Sequence, residues 1–168
     1  LIDGNSILHH QITNLINYIS IDNIYVVVGY KKNMIIESYP QLSYIINKKY
    51  KMTNTAISLL CALNEIGIDD DILWINGDVF FDNRILNRIL ECPNTCIAVN
   101  NFEVQDEEVK YKVDDNNFII EISKEVACPE GESVGIHKMN KDDLLKFIKY
   151  LSLCESGDYF ERGIELAI

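Results

Sequence analysis

Two short stretches gather side chains that could do chemistry. The first is Asn76-Gly77-Asp78, which directly follows the apolar run Ile72-Leu73-Trp74-Ile75. In open α/β sheets ligands bind just beyond the carboxyl ends of the strands, so polar residues there carry more functional weight than polar residues elsewhere. A glycine at such an exit lets a substrate approach the backbone. A carboxylate there can hold Mg²⁺ while leaving coordination positions for phosphate oxygens. The plainer alternative is a Gly-Asp turn with a capping carboxylate. The second stretch is Asn47, Tyr50 and Thr53-Asn54-Thr55-Ala56-Ile57-Ser58, which follows a short strand and opens a helix. Thr or Asn before a helical run is also an ordinary N-cap.

The elements that must position these residues follow from periodicity. Ile7, Leu8, Ile12, Leu15, Ile16 and Ile19 recur at helical spacing, and Ile24 to Val28 is a β-branched run ending at Gly29. A short helix from Lys31 to Tyr39, a strand at Tyr44-Ile45-Ile46 and a helix from Thr55 to Ile66 closed by Gly67 come next. After the strand Ile72–Ile75, Arg84 to Leu90 reads as helix and Cys96 to Val99 as strand. Helix and strand thus alternate as in parallel βαβ units. The texture then changes. Val109–Val113 and Phe118–Ile122 flank a polar Asp114–Asn117 turn as a hairpin, and Glu132–Met139 returns to the sheet. Asn140 is placed to cap a helix through Leu153, with Asp142 and Asp143 in its first turn, and a last helix starts near Asp158. The pattern predicts one three-layer α/β domain over residues 1–168 with a mixed sheet.

Composition bounds the function. The chain has 168 residues, 48% of them apolar, which is enough for a core and excludes a disordered tail. No apolar run approaches the ~18 residues of a membrane span. A net charge of −11, from 15 Lys+Arg and 26 Asp+Glu, disfavours nucleic-acid and anionic-membrane partners. The five cysteines are odd in number and scattered, as in a reduced, cytoplasmic protein. Cys92 and Cys96 flank a Pro93-Asn94 turn and lack a second Cys/His pair at zinc-site spacing. His9 and His10 are adjacent and cannot face one metal from a helix, and His137, within a strand, reads as a structural histidine. None of the three is assigned a catalytic role.

Taken in order, "LIDGNSILHHQI", "VVVGYKK", "N..Y..TNTAISL..AL", "WINGDVFFD", "IIEISK", "GESVGIHKM" and "DYFERGIELAI" resemble the nucleotidyltransferases that make sugar nucleotides and CDP-activated alcohols. The likeness is greatest to their small phosphocholine-cytidylyltransferase-like branch. It extends over essentially the whole chain. It implies a three-layer α/β/α, Rossmann-like fold with a mixed, mostly parallel sheet. It further implies Mg²⁺-dependent transfer of a nucleoside monophosphate from an NTP, CTP favoured, to a small phosphate or phosphonate monoester with release of pyrophosphate. Such products are activated precursors of surface polysaccharide or lipid. That reaction joins two polyanions, so its obstacles are charge repulsion and alignment, which metal and lysine electrostatics relieve without a nucleophilic side chain.

Carried over by position, the resemblance makes Asp78 the metal-binding residue and Lys124 the lysine that neutralises the acceptor phosphate, the two catalytic candidates. Gly77, Thr53, Asn54 and Ser58 become nucleotide-binding, the last three reading the base through side chains and helix N–H groups. Tyr50, Glu132, Gly135, Tyr159 and Glu161 become acceptor-binding, with Gly135 leaving room for the bound group. A Tyr159 and Glu161 pair would suit an amine or quaternary ammonium by cation–π and charge attraction; otherwise Tyr159 packs on the core. Asp82 is expected to cap the helix that follows it.

The pattern departs from the family in three places. A first strand with a Gly-rich, Arg/Lys-bearing loop, expected ahead of Leu1, and a late strand with the second metal-binding Asp, expected beyond Ile168, are not in the 168 residues. Ser123 stands where sugar-selective members carry an acidic residue, which favours a small alcohol phosphate. The domain is therefore expected to lack its first strand and loop and its last strand and helix. By itself it would bind NTP weakly and turn over little or nothing. Two other readings stay open. A non-catalytic nucleotidyltransferase-like binding module is one, and a GT-A-type glycosyltransferase is the other, against which the Asp78–Asp82 spacing counts. Self-association is left open.

Overall fold

The computed structural model describes residues 1–102 and 104–168. In chain order the elements are α1 (Ile7–Leu15), β1 (Tyr25–Val28), α2 (Lys32–Ser38), β2 (Ser43–Ile46), α3 (Thr55–Ile66), β3 (Ile72–Ile75), α4 (Arg84–Glu91), β4 (Cys96–Asn100), β5 (Lys110–Val113), β6 (Ile119–Ser123), β7 (Gly131–Met139), α5 (Lys141–Leu151) and α6 (Glu161–Glu165). The chain divides into two compact units. One comprises Leu1–Tyr18, Asp69–Leu144 and Ile168, and the other Ile19–Ile68 and Leu145–Ala167.

The first unit is built on β7, whose nine residues are long enough to be shared. One of its edges carries β4. The other carries β3 along Ile136–Met139 and β5 at Gly131–Glu132. Gly135, with φ +75°, lies where the second edge changes partner. Every ladder of this sheet is antiparallel. The mixed, mostly parallel sheet that the resemblance implies therefore holds in strand direction rather than in pairing. β3, β4 and β5 all run opposite to β7 and so point the same way, but β7 lies between them as the bonded neighbour. Phe81, Leu86, Ile89 and Ile136 form the core, with Leu73, Ile75, Leu90 and Val134 packed against it. The hairpin turn forms as expected, since the Asp114 carboxylate accepts from the backbone N–H groups of Asn116 and Phe118, each at 2.9 Å. Those bonds hold the Asp114 carboxyl below the usual carboxylate range.

Two helix ends differ from the sequence expectation. α1 stops at Leu15 rather than near Ile19, because the Asn17 side chain donates to the carbonyls of Thr13 and Asn14 at 3.0 and 3.3 Å and closes the last turn. Asn140 does not cap α5 through its oxygen. Its amide donates to Pro93 O at 2.9 Å, and its Oδ1 is buried with no hydrogen-bond partner among the described residues. The Asp71 carboxylate takes the capping role instead, accepting from Lys141 N at 3.0 Å.

The second unit holds a parallel ladder, β1 against β2 from Tyr25↔Ser43 to Val28↔Ile46. α3 covers both strands. Its inner residues Ala56, Leu59, Ala62 and Leu63 are buried, as are Val28 and Ile45 of the strands. At ~25 cal/mol per Å² of apolar surface, burial of this stripe is what stabilises so short a sheet. Gly29 has its place because the Tyr50 side chain lies over it, so that a Cβ at 29 would come within 2.5 Å of Tyr50 Cβ and Cγ. The five cysteines are all free thiols. No helix among the described residues is long and apolar enough to cross a membrane.

Candidate functional site

The turn at the exit of β3 is held from both sides. Asn76 N donates to Gly135 O at 2.8 Å, and Val79 N donates to Asn76 O at 3.2 Å to close the turn. From α1 the buried Gln11 uses its single amide nitrogen to donate to Asn76 O at 2.8 Å and to Val79 O at 2.7 Å. Gln11 was not among the residues picked out from the sequence. Its signal was present, because it is a polar residue on the apolar stripe Leu8, Ile12, Leu15 of α1, and a buried amide must find partners. The turn thus presents Gly77 and Asp78 from a fixed base. Both are exposed. The Asp78 carboxylate has no hydrogen bond or ion pair among the described residues. A Cβ on Gly77 would meet nothing within 4 Å, and its φ lies outside the left-handed region, so neither packing nor backbone conformation calls for glycine.

Asp82 is fully engaged. One carboxylate oxygen accepts from Arg84 N and Nε at 2.9 and 2.8 Å, the other from Arg84 Nη2 at 3.1 Å. Bonding to Arg84 keeps its carboxyl below the usual range. It caps α4 as expected and is not arranged as a second ligand beside Asp78. Among the described residues no group of three or more His, Cys, Asp or Glu could hold a metal ion. The donor chemistry at Asp78 still fits Mg²⁺, which is commonly held by one or two carboxylates and takes its remaining oxygens from phosphates and water.

On β7, a Cβ at Gly135 would come within 2.6 Å of Asn76 Nδ2 and 3.0 Å of Asn76 Cβ. The room expected there for a bound group is taken by the chain itself. Glu132, opposite Asn100 on β4 and Lys110 on β5, accepts from Asn100 Nδ2 at 2.9 Å through Oε1, while its Oε2 is buried with no hydrogen-bond partner among the described residues. Lys124 follows β6, and its carbonyl accepts from Lys110 Nζ at 3.1 Å. His137 is 1% exposed, stacks on Trp74 at 5.3 Å and 4°, and lies 3.1 Å from Ser133 Oγ through Nε2. Burial pushes its pKa down to about 3, which makes it a neutral structural residue.

In the second unit three successive N–H groups at the start of α3 are taken up by the chain. Asn54 N donates to Ser156 O at 2.8 Å and Ala56 N to Asp158 O at 3.2 Å. Thr55 N donates to Asn54 Oδ1 at 2.8 Å, and Asn54 Nδ2 donates to Gly157 O at 3.2 Å. The N–H groups of Asn54, Thr55 and Ala56 are therefore occupied by the chain, and Asn54 serves as N-cap and tie. Thr53 and Ser58 are drawn together by Asn47. Its amide donates to Thr53 Oγ1 at 2.9 Å and to Ser58 Oγ at 3.1 Å. Thr53 lines an open pocket of about 380 Å³ together with Lys49, Met52, Ile57 and Ser156. Tyr50 packs over Gly29, Tyr159 is half exposed, and Glu161 is buried at 5% exposure.

The chain belongs to the DUF6564 family, a domain of unknown function, which matches residues 3–122. It is 29% identical over 167 residues to the bifunctional protein GlmU of Methanocaldococcus jannaschii, a match covering 96% of this chain and 37% of that protein. The chain thus spans well under half the length of that relative. Among solved structures, the inositol-1-phosphate CTP transferase from T. maritima superposes with a TM-score of 0.75 at 17% identity, covering 99% of this chain and 70% of that one. The CTP:phosphocholine cytidylyltransferase LicC from Streptococcus pneumoniae gives 0.68 at 18% identity, covering 98% and 72%. The fold is therefore the Rossmann-like α/β nucleotidyltransferase fold read from the sequence motifs.

Proposed function

We propose that the protein carrying this chain, a DUF6564 member, is a nucleotidyltransferase that moves a nucleoside monophosphate from an NTP to a small phosphate or phosphonate monoester and releases pyrophosphate. The observation that carries this reading is the turn at the exit of β3. Gln11 and Gly135 hold its backbone, yet Gly77 faces open space and Asp78 has no partner among the described residues. Residues that the chain does not itself need, fixed at a strand exit in this fold, fit a role toward a ligand.

Asp78 would hold Mg²⁺, which supplies charge neutralisation at the phosphates when bound. Gly77 lets the nucleotide come close to the backbone. Lys124 is assigned to the acceptor phosphate. Glu132, with a carboxylate oxygen unmatched among the described residues, is assigned to an amine or hydroxyl of the acceptor. Tyr50, Tyr159 and Glu161 are assigned to acceptor binding, as the resemblance implies. Gly135 contributes by admitting Asn76 to the turn. CTP as donor, and an acceptor of the inositol phosphate or phosphocholine kind, are favoured by the two structural neighbours named for those substrates. No nucleic-acid or membrane partner is proposed, and the single domain, its cytoplasmic location and any self-association are carried forward as part of this reading.

A glycosyltransferase reading would use Asp82 as a second metal ligand, and Asp82 is engaged by Arg84 on both oxygens. The test is pyrophosphate release by the full-length protein with Mg²⁺, each of CTP, UTP and dTTP, and a panel of phosphate monoesters. Release that depends on both substrates and disappears in Asp78→Asn supports the reading. NTP binding without release under every pairing overturns it in favour of a binding module.

A further inference from the structure

β6 reaches the rest of the first unit through one neighbour. Among the described residues its only ladder is with β5, and β5 in turn pairs with β7 at Lys110↔Glu132 and Tyr111↔Gly131. The β5–β6 ladder ends at Lys110↔Ser123, so Lys124 lies one residue beyond the last pair. Lys110 is thus in register with Ser123 on one side and Glu132 on the other, and such pairing places the three side chains on one face. Asn100, opposite Glu132 on β4, extends the row. The core lies on the other face, where Tyr111 and Ile122 are buried. A polar residue on each of four neighbouring strands is therefore not a demand of the core.

The Lys110 ammonium spans the step past the end of the ladder. Its Nζ donates to Lys124 O at 3.1 Å and to Asp106 O at 3.3 Å. On the same turn Glu125 N donates to Ser123 Oγ at 3.2 Å. The backbone at Lys124 is thereby held from both sides, and a charged donor makes the stronger of the two kinds of bond. Without the Lys110 bond, Lys124 would sit on the unpaired end of an edge strand, where chains fray. We infer that Lys110 is the positioning residue that sets Lys124, at the end of β6, against Glu132 on β7. The inference rests on the assignment of Lys124 to the acceptor phosphate made above and deepens it. It matters to the chemistry because a displacement of about 1 Å in a group that aligns a reactant can cost up to ~100-fold in rate.

The test is a double-mutant cycle on Lys110 and Lys124 in the full-length protein, read as pyrophosphate release with the NTP and acceptor of the panel above that give the highest rate. Lys110→Met keeps the apolar stem and removes the donor. It should lower kcat/KM for the acceptor about tenfold, the scale of one hydrogen bond from a charged group, and leave the KM for the NTP unchanged. Lys110→Arg, which can still donate to both carbonyls, should recover activity to within about threefold of the wild type. Because Lys110 acts through Lys124, adding Lys110→Met to Lys124→Met should cost less than about twofold more. A merely structural role would lower the melting temperature and raise the NTP KM as well, and direct contact of Lys110 with the acceptor would add its full factor in the Lys124→Met background. Either result overturns the positioning role, as does an unchanged kcat/KM in Lys110→Met, with the reaction itself left standing. If Lys110→Met does not fold, Lys110→Gln, shorter but polar, takes its place. If Lys124→Met has no measurable turnover, the split between acceptor and NTP and the arginine rescue decide. Absence of release by the wild type under every pairing removes the transferase reading and this one with it.

Discussion

The start of α3 and the exit of β3 look alike as sequence, Thr53-Asn54-Thr55 against Asn76-Gly77-Asp78, each a short polar stretch beside an apolar element. Their bonding is opposite. At α3 three successive backbone N–H groups and both ends of the Asn54 amide are taken by the chain. At β3 the backbone of the turn is held while the two residues at its tip are left to solvent. The difference separates residues that build the fold from residues the fold presents. Buried or capping polar groups answer to the requirement that the chain's own donors and acceptors be matched. An exposed carboxylate on a rigid turn answers to no such requirement.

The comparison breaks most visibly at the two aspartates. Asp78→Asn should cut the rate of pyrophosphate release by about a thousandfold, the scale of losing one pre-placed electrostatic group, with an unchanged melting temperature. Asp82→Asn should do the reverse, leaving turnover near the wild-type value with a small loss of helix stability. Steady-state rates and thermal melts of the pair decide it, and equal loss of activity in both would show that presentation and scaffolding are not divided as drawn.

Gly135 and Gly77 sharpen the same division on one turn. Alanine at 135 must adopt φ +75° and press within 2.6 Å of Asn76 Nδ2, so Gly135→Ala should cost about 2–4 kcal/mol in urea unfolding, from strain and overpacking together. A loss under ~1 kcal/mol would mean that Asn76 yields easily and that the turn is not rigid.

His137 extends the contrast to pH. Its pKa in the folded chain is about 3 against an ordinary value of 6.5, so between those limits the unfolded chain takes up a proton that the folded chain does not. Its contribution is without penalty above about pH 6.5. Stability is lost as pH falls from there toward 3, at up to ~1.4 kcal/mol per unit. Between pH 7 and 5 the loss assigned to this residue is therefore about 2 kcal/mol. Urea unfolding at both pH values should show a smaller drop for His137→Gln than for the wild type by that amount. Equal drops would mean that the imidazole is protonated in the fold.

Much of the architecture was legible in residue pattern. The β-branched run ending at Gly29, the Thr55–Ile66 stripe and the Asp114 turn state their structures because period and turn chemistry are local. What was not legible is set by contacts distant in sequence. That β7 would lie between strands pointing the same way depends on its pairing with β3 and β4, and that Asp71 rather than Asn140 would cap α5 depends on a bond spanning about seventy residues. At the candidate site Asp78 could be found from its place after a buried strand. Gln11 and Asn47 act through the backbone of a remote turn and through the hydroxyls of Thr53 and Ser58, and only a polar residue on an apolar stripe or beside a strand end hinted at either.

The smallest effects test the comparison most closely, because they ask whether the two stretches differ when each loses a single small feature. Asn54→Ala removes an N-cap acceptor and the tie to Gly157, and should cost about 1 kcal/mol. Gly77→Ala adds a methyl group where nothing lies within 4 Å and no left-handed φ must be kept, so its stability should stay within ~0.5 kcal/mol of the wild type. Nucleotide affinity should move the other way. A methyl group at 77 stands where the nucleotide is proposed to approach the backbone, and it should weaken CTP binding by about tenfold, the effect of ~1.4 kcal/mol. Asn54→Ala should leave CTP affinity within twofold once measured well below its melting temperature. Should Gly77→Ala bind CTP as the wild type does, the open space at the turn would have no ligand to receive, and the division between built and presented residues would lose its functional meaning at β3.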